Sequence, residues 1–101
     1  MNFSVHFLDK VRLDIREAKE WYKNKKPGLE KRFAQEIKKA IARIQKNPEI
    51  YELKYKNVRS AYTGVFPYSI YFIINDKLSQ VVIIAILHQA RNPALQYDRN
   101  K

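Results

Sequence analysis

The sequence predicts a two-layer α+β domain, in which an N-terminal helical hairpin packs on one face of a curved antiparallel β-sheet. Three observations support this fold class. A short strand-like segment comes first, two long segments with helical periodicity follow it, and three β-prone segments complete the chain. The predicted element order is therefore β-α-α-β-β-β. We expect a single domain over residues 1–101, because a chain of this length provides one hydrophobic core and no second one.

Two segments have apolar residues three or four positions apart, the spacing of an amphipathic helix. The first spans about residues 10–25, and Asp9 precedes it as a candidate N-cap. Pro27 and Gly28 interrupt the pattern, and Pro27 can serve as the first residue of the second helix, which runs to about Lys46. Two helices of similar length joined by a tight break are predicted to form an antiparallel hairpin.

Four segments are predicted to be strands: residues 2–7, 58–62, 66–74 and 81–87. The last consists of seven consecutive apolar residues, which is typical of a strand buried on both faces. Such a strand lies inside the sheet and holds its C-terminal end in a defined place. We therefore expect His88 and Arg91, which follow it, to reach an open, positively charged cleft. The polar residues 49–57 are interpreted as a connection.

The charge balance is strongly basic. The chain has 20 Lys and Arg residues against 10 Asp and Glu, a net charge of +10. Such a charge favours an anionic partner, either nucleic acid or an acidic protein, and less readily a membrane surface. Residues 10–46 alone contain thirteen Lys and Arg and five Asp and Glu, a net +8. This helical segment has two interpretations: a solvated basic face without a partner, or an anion-binding surface.

Several kinds of site are excluded or disfavoured. The chain has no cysteine, so disulfides and thiol nucleophiles are absent. Its two histidines lack the spacing of paired metal ligands, and we expect neither a metal nor a cofactor. The longest apolar run is far shorter than the ~20 residues that cross a bilayer, and no signal peptide is recognised. We therefore expect a cytoplasmic protein without a membrane partner.

Five segments together are similar to one protein family. They are REAKEWY at 16–22, PGLEKRF at 27–33, Asn47-Pro48, VRSAYTGVFPYSIYF at 58–72, and ILHQARNP at 86–93. In this order they resemble the RelE/ParE superfamily, the toxins of bacterial type II toxin–antitoxin systems, and most closely the ParE-like, plasmid-stabilisation type. The resemblance implies a growth-inhibiting toxin that is neutralised by a cognate antitoxin encoded beside it, existing as a homodimer or a toxin–antitoxin heteromer.

The resemblance leaves the target open. ParE-like members act on DNA gyrase, and this is the interpretation we favour. RelE-like members are metal-independent enzymes that cleave mRNA on the ribosome, which is the first alternative. A second alternative is an inactive antitoxin-binding protein or a basic nucleic-acid-binding module. The FPY segment at 66–68 and the long helices favour the ParE side.

The residues that could carry the chemistry lie in the C-terminal half. RNA cleavage needs a base, an acid and cations that stabilise the phosphorane. His88 can serve as the base or the acid, and Arg59 and Arg91 can bind phosphate. By resemblance to the mRNA-cleaving members, Arg91, Arg59 and Tyr97 fall at or near positions of their catalytic residues. However, Tyr68 stands where those members carry an arginine. Tyr68, Arg59 and Arg91 are the candidate target-binding residues.

Structural roles are the alternative for each of these residues. His88 can be a hydrogen-bonded histidine at a strand end, and Arg59 can be solvated. Arg91 can instead pair with a carboxylate at the sheet edge, such as Asp98.

The other aromatic residues are predicted mainly to pack. Tyr68 and Tyr71 are three positions apart and should face opposite sides of their strand, so one of them is expected in the core. Trp21 and Tyr22 are expected to pack between the helices and the sheet.

Overall fold

The structure, a computed structural model, describes residues 3–89. Its elements are β1 (Ser4–Phe7), α1 (Asp9–Lys25), α2 (Leu29–Lys46), a 3-10 turn (Pro48–Ile50), β2 (Leu53–Tyr55), β3 (Val58–Tyr62), β4 (Tyr68–Asn75) and β5 (Gln80–His88). The two helices form a hairpin that packs on the sheet, so the two-layer α+β class is confirmed. Neither helix in this part of the chain is long and apolar enough to cross a membrane.

The five strands lie in the order β1-β5-β4-β3-β2. The meander from β3 to β5 is antiparallel, as predicted, and the additional strand β2 pairs antiparallel with β3. In contrast, β1 runs parallel to β5, with Ser4 opposite Gln80 and Phe7 opposite Ile83, so the sheet is mixed and not wholly antiparallel. The reason is topological. No hairpin turn joins β1 to β5, so the helices carry the chain away from β1 and local turn geometry does not set their relative direction.

Strand β2 is an addition to the predicted order, because it lies within the segment interpreted as a polar connection. Leu53 pairs with Arg59 and Tyr55 pairs with Val58, across a turn in which Lys56 has φ 48°. The strand has only three residues, and two of them are exposed. Residues 51–56 alternate aromatic or apolar residues with charged ones, a strand signal that the interpretation as a polar connection overlooked.

The helix boundaries differ from the predicted ones by one or two residues. Asp9 is the first residue of α1, and Leu8 takes the N-cap position. Helix α2 begins at Leu29 instead of Pro27, because Gly28 adopts a left-handed conformation with φ 98° at its N-cap. Glycine occupies this region without the steric cost that a Cβ imposes. The backbone N–H of Gly28 donates a 2.7 Å hydrogen bond to the Glu30 carboxylate.

The main core lies between the helices and the sheet. Its fully buried large side chains include Phe33 and Ile44 of α2, Phe72 and Ile70 of β4, and Ile83 of β5. The opposite face of the sheet is also apolar, and its buried residues are Val58, Ile84, Ala85 and Leu87. The prediction that the last strand lies inside the sheet and is buried on both faces is therefore confirmed, since β5 lies between β1 and β4.

A register shift in β5 decides which side chains face the helices. Tyr71 lies opposite Ala85 and Phe72 lies opposite Ile83, so Ile84 has no counterpart on β4. A bulge of this kind reverses the alternation of the side chains beyond it. Beyond the bulge, Ile86 joins the core under the helices. His88 is two residues further along the strand and therefore lies on the same face.

Candidate functional site

A cavity of about 450 Å³ opens between α1 and the C-terminal end of β5. Its walls come from one helix near the N-terminus and from two consecutive strands of the C-terminal half. Helix α1, strand β4 and strand β5 supply the lining residues Asp14, Glu17, Ala18, Trp21, Tyr22, Tyr68, Ile86, Leu87 and His88. The predicted location of a site, at the end of the last strand, therefore coincides with this cavity.

Tyr68 and His88 occupy the sheet side of this cavity. They lie opposite each other on the paired strands β4 and β5, and their rings meet edge to face with centroids 5.3 Å apart. The Tyr68 ring also rests on Phe33, at 5.1 Å between centroids. Tyr71 is part of the cluster on the opposite sheet face, so the prediction that the two tyrosines face opposite sides is confirmed.

Tyr22 supports Tyr68 from the helix. It is 8% exposed, and its ring lies 5.2 Å from that of Phe33 and 6.3 Å from that of Tyr68. Burial raises the pKa of Tyr22 to about 12, and the charge and hydrogen bond of the neighbouring Tyr68 hydroxyl act in the same direction. Both phenols lie on a packed aromatic base, which restricts the position of Tyr68 in the cavity.

Trp21 is not a packing residue between the helices and the sheet, contrary to expectation. Its side chain is 54% exposed and lies at the rim of the cavity. It contacts the ring of Tyr22 edge to face at 5.0 Å, and the ammonium of Lys25 lies 4.9 Å from its ring centroid. The physical reason is helical geometry: adjacent residues are about 100° apart around a helix, so burial of Tyr22 turns Trp21 outward.

Among residues 3–89, the cavity lining includes acidic and aromatic side chains; the positive charge that we expected there from Arg91 falls outside the described residues and stays a prediction. Asp14 and Glu17 of α1 line it, and no lysine or arginine of residues 3–89 does so. A carboxylate beside a phosphate group is repulsive, whereas carboxylates and aromatic rings favour a cationic or aromatic polypeptide side chain. In this part of the chain, the cavity therefore offers aromatic rings and carboxylates to a partner.

Arg59 is not brought to His88. Its guanidinium donates hydrogen bonds to the backbone carbonyls of Glu49 and Tyr51, at 3.1 Å and 2.6 Å, and it lines a separate cavity. Arg59 pairs with Phe72 on one side of β4, while His88 pairs with Tyr68 on the other. Arg59 and His88 are therefore separated by four residue positions along the strands and by two strand spacings across the sheet. This corresponds to roughly 16 Å between their backbones. A catalytic or target-binding role for Arg59 stays a prediction.

Arg91 and Tyr97 lie outside the described residues, as does Asp98. Their proposed catalytic and target-binding roles also stay predictions. His88 is half-buried at the cavity, in the place that the sequence predicted for it, but its catalytic role is likewise a prediction.

The contribution of α1 to the site was not predicted from the sequence. Asp14, Ala18 and Trp21 are four and three positions apart, and Glu17 lies four before Trp21. These spacings place the residues on one side of a helix. A helical-wheel projection of α1 shows that these residues share one side of the helix, but only the tertiary structure places that side next to His88.

Comparison with known proteins identifies the family. The family model described as the ParE toxin of the type II toxin–antitoxin system parDE matches residues 5–93. No curated protein matches this sequence significantly.

Solved structures share the fold. A structure of the chromosomal ParDE toxin–antitoxin system from P. aeruginosa superposes with a TM-score of 0.75 at 17% identity, covering 85% of this chain and 95% of the other. The toxin–antitoxin complex RelBE2 from Mycobacterium tuberculosis gives 0.63 at 21% identity, covering 87% and 99%. The isolated E. coli RelE toxin gives 0.66 at 14% identity, covering 97% and 96%. The family model spans most of the sequence, and this chain belongs to the ParE toxins of type II toxin–antitoxin systems.

Proposed function

We propose that this toxin acts on DNA gyrase in the cytoplasm and is neutralised by a cognate antitoxin. The observation that carries the proposal is the chemical character of the cavity. Asp14 and Glu17 line it together with Trp21, Tyr22 and Tyr68, and none of its described lining residues is a lysine or arginine. Aromatic residues with an exposed tryptophan at the rim are typical of protein-binding hot spots.

The same character argues against RNA cleavage. Attack of a 2′-hydroxyl on the neighbouring phosphate develops negative charge on the phosphorane, and preorganised cations are needed to stabilise it. At a position where mRNA-cleaving relatives carry an arginine, this chain has Tyr68, whose hydroxyl is already engaged with Tyr22. Arg59 is engaged by backbone carbonyls elsewhere.

Ribosome-dependent mRNA cleavage is the second candidate function, and His88 is the observation that favours it. An imidazole at the mouth of a cavity, beside the aromatic ring of Tyr68, could act on a nucleotide that stacks there. In that mechanism His88 would transfer the proton, and Arg91, Arg59 and Tyr97 would complete the catalytic group.

Inducible expression of the toxin separates the two functions. We expect DNA synthesis to stop first, covalent gyrase–DNA complexes to accumulate and the DNA-damage response to follow. Purified toxin should also trap cleaved DNA on purified gyrase. An early stop of translation, with cut mRNA on purified ribosomes and intact gyrase activity, would assign the chain to the nuclease function instead. Growth that continues without the antitoxin would identify an inactive member.

Substitution of His88 adds a second, independent criterion. Glutamine keeps hydrogen-bonding capacity but cannot transfer a proton near neutral pH. On the gyrase proposal, His88→Gln should arrest growth within a few fold of the natural chain. On the nuclease alternative, the same variant should lose roughly 100-fold or more of the activity, since general acid–base catalysis contributes about that much. Ser4→Ala, an exposed change on β1, is the control for expression level.

The antitoxin is proposed from the two-component nature of the matched structures, which are toxin–antitoxin systems. Co-expression of the short reading frame beside this gene should restore growth and co-purify with the toxin. A homodimer of the toxin is the alternative assembly, which light scattering of the free protein would detect.

A further inference from the structure

The outward face of α2 has an unusually uniform composition. Eight residues of this helix are exposed: Lys31, Arg32, Gln35, Lys38, Lys39, Ala42, Arg43 and Lys46. Six are cations, and the other two are a glutamine and an alanine. The exposed face therefore carries neither an acidic residue nor a large apolar one.

The cations lie in two rows along the helix. With about 100° per residue, Arg32, Lys39, Arg43 and Lys46 fall within an arc of about 60°. Lys31 and Lys38 form the second row, about 100° from the centre of the first. The buried residues Phe33, Ile37, Ala40 and Ile44 lie on the opposite side. At 1.5 Å per residue, the basic face is about 22 Å long.

Acidic residues do little to neutralise this face. Glu36 lies at its flank and forms one ion pair, with Lys39 at 3.4 Å. Glu30, at the start of the helix, is held at the end of the face by hydrogen bonds from backbone N–H groups. Among residues 3–89, the other five cations of the face form no ion pair, although the charge of Lys31 helps to lower the pKa of Glu30. Most of the positive charge is therefore available to a ligand.

The absence of other side-chain types on this face discriminates between classes of anionic partner. A protein interface needs an apolar or aromatic centre, and single-stranded nucleic acid is bound by stacking on aromatic rings. The exposed residues of α2 offer neither. In contrast, the backbone of a nucleic acid duplex can be bound by cations alone, without readout of base edges.

We propose that the outward face of α2 binds the phosphate backbone of double-stranded DNA without sequence preference. The two rows flank the outward direction of the helix, so they can reach phosphates on both sides of a groove. B-form DNA suits them, because its major groove is about 12 Å wide and a helix about 10–12 Å across, whereas the major groove of duplex RNA is narrow. This surface is separate from the cavity and extends beyond the proposed action on gyrase.

The test measures binding of the purified full chain to a fluorescein-labelled 30-bp duplex of arbitrary sequence, by anisotropy, without gyrase. Each neutralised phosphate contributes a slope of about −0.9 to a plot of log K against log salt. Four to six contacts should therefore give a slope of about −4 to −5 between 50 and 200 mM NaCl. Two unrelated duplex sequences should bind equally.

A pair of charge-matched variants isolates the face. The triple variant Arg32→Gln, Lys39→Gln, Arg43→Gln removes three cations from α2. The control Lys54→Gln, Lys56→Gln, Lys77→Gln removes three exposed cations from β2 and two turns. The first should bind at least about tenfold more weakly at 100 mM salt, with a slope closer to zero by about 3. The control should change affinity less than about threefold.

An equal loss of DNA affinity in the two triple variants would overturn the proposal, because binding would then depend on net charge alone. Tighter binding of single-stranded DNA, duplex RNA or poly-glutamate than of duplex DNA would also overturn it. These outcomes are independent of the gyrase assay: a toxin that does not act on gyrase can still bind DNA through α2, and a gyrase poison can lack this binding.

Discussion

Replacement of Phe33 by alanine tests the aromatic base on which the candidate site rests. The Phe33 side chain is 0% exposed, and its ring contacts those of Tyr22, Phe66 and Tyr68 at centroid distances of 5.2, 5.4 and 5.1 Å. The substitution removes buried apolar surface, leaves a cavity and breaks three ring contacts. We expect it to reduce the free energy of unfolding by about 4 kcal/mol, within the ~3–5 kcal/mol range of such changes.

The expected loss is a large fraction of the whole stability of a domain, which is ~5–15 kcal/mol. Phe33→Leu gives a graded second variant, because leucine retains much of the buried volume and loses the ring contacts. It should cost about 1–2 kcal/mol. Urea denaturation at pH 7, followed by far-UV circular dichroism, measures both changes as shifts of the midpoint at constant slope.

Trp21→Ala is the matched control, because Trp21 is also an aromatic residue at the site but is 54% exposed. It should cost less than about 1 kcal/mol of folding stability. The reasoning is refuted if Phe33→Ala costs less than about 1.5 kcal/mol, or if Trp21→Ala costs as much as Phe33→Ala. In either case the hairpin would not be held to the sheet by the aromatic cluster around Phe33.

Three further predictions concern single residues. The raised pKa of Tyr22, about 12 against 10.0, means that the folded protein holds this proton more tightly than the unfolded chain. The resulting stabilisation is complete below pH 10 and disappears as the pH rises to 12. Urea unfolding measured between pH 10 and pH 12 should therefore show a loss of unfolding free energy of at most about 3 kcal/mol, which the Tyr22→Phe variant does not show. Arg59→Gln should lower the free energy of unfolding by about 1–2 kcal/mol, because its hydrogen bonds to two backbone carbonyls are weakened; an unchanged midpoint would contradict this. Gly28→Ala should cost about 1 kcal/mol in thermal unfolding from backbone strain alone, since nothing lies within 4 Å of the added Cβ, and an equally stable variant would contradict the left-handed conformation.

Much of the fold was predictable because it follows from local patterns. The spacing of Val11, Ala18 and Tyr22 in α1 is that of a helix with one buried face, and all three are buried. The uninterrupted apolar run of β5 predicted an interior strand, and the following His88 predicted the position of the cavity. These signals need only the sequence, since hydrophobic periodicity and β-branched composition are local properties.

The composition of the site was only partly predictable. His88 was identified from its position after an apolar strand, and Tyr68 from its aromatic chemistry and the family resemblance; both line the cavity. Asp14, Glu17 and Trp21 were missed as site residues, because nothing near them in the sequence indicates that α1 lies across the end of β5. Arg59 was grouped with His88 by chemistry, but the sheet places it at another cavity.

The sequence by itself determined that this chain forms a helical hairpin on a sheet, that its last strand is interior, and that its charge is strongly basic. Only the tertiary structure decided the parallel pairing of β1 with β5, the bulge at Ile84 that turns His88 toward the helices, and the position of Asp14 and Glu17 in the cavity lining. The physical reason is the sequence separation of the contacts involved. Periodicity and charge arise from neighbouring residues, whereas strand register and cavity walls arise from contacts between segments far apart in the chain. Both faces of β5 are apolar, so its sequence does not indicate which face lies under the helices.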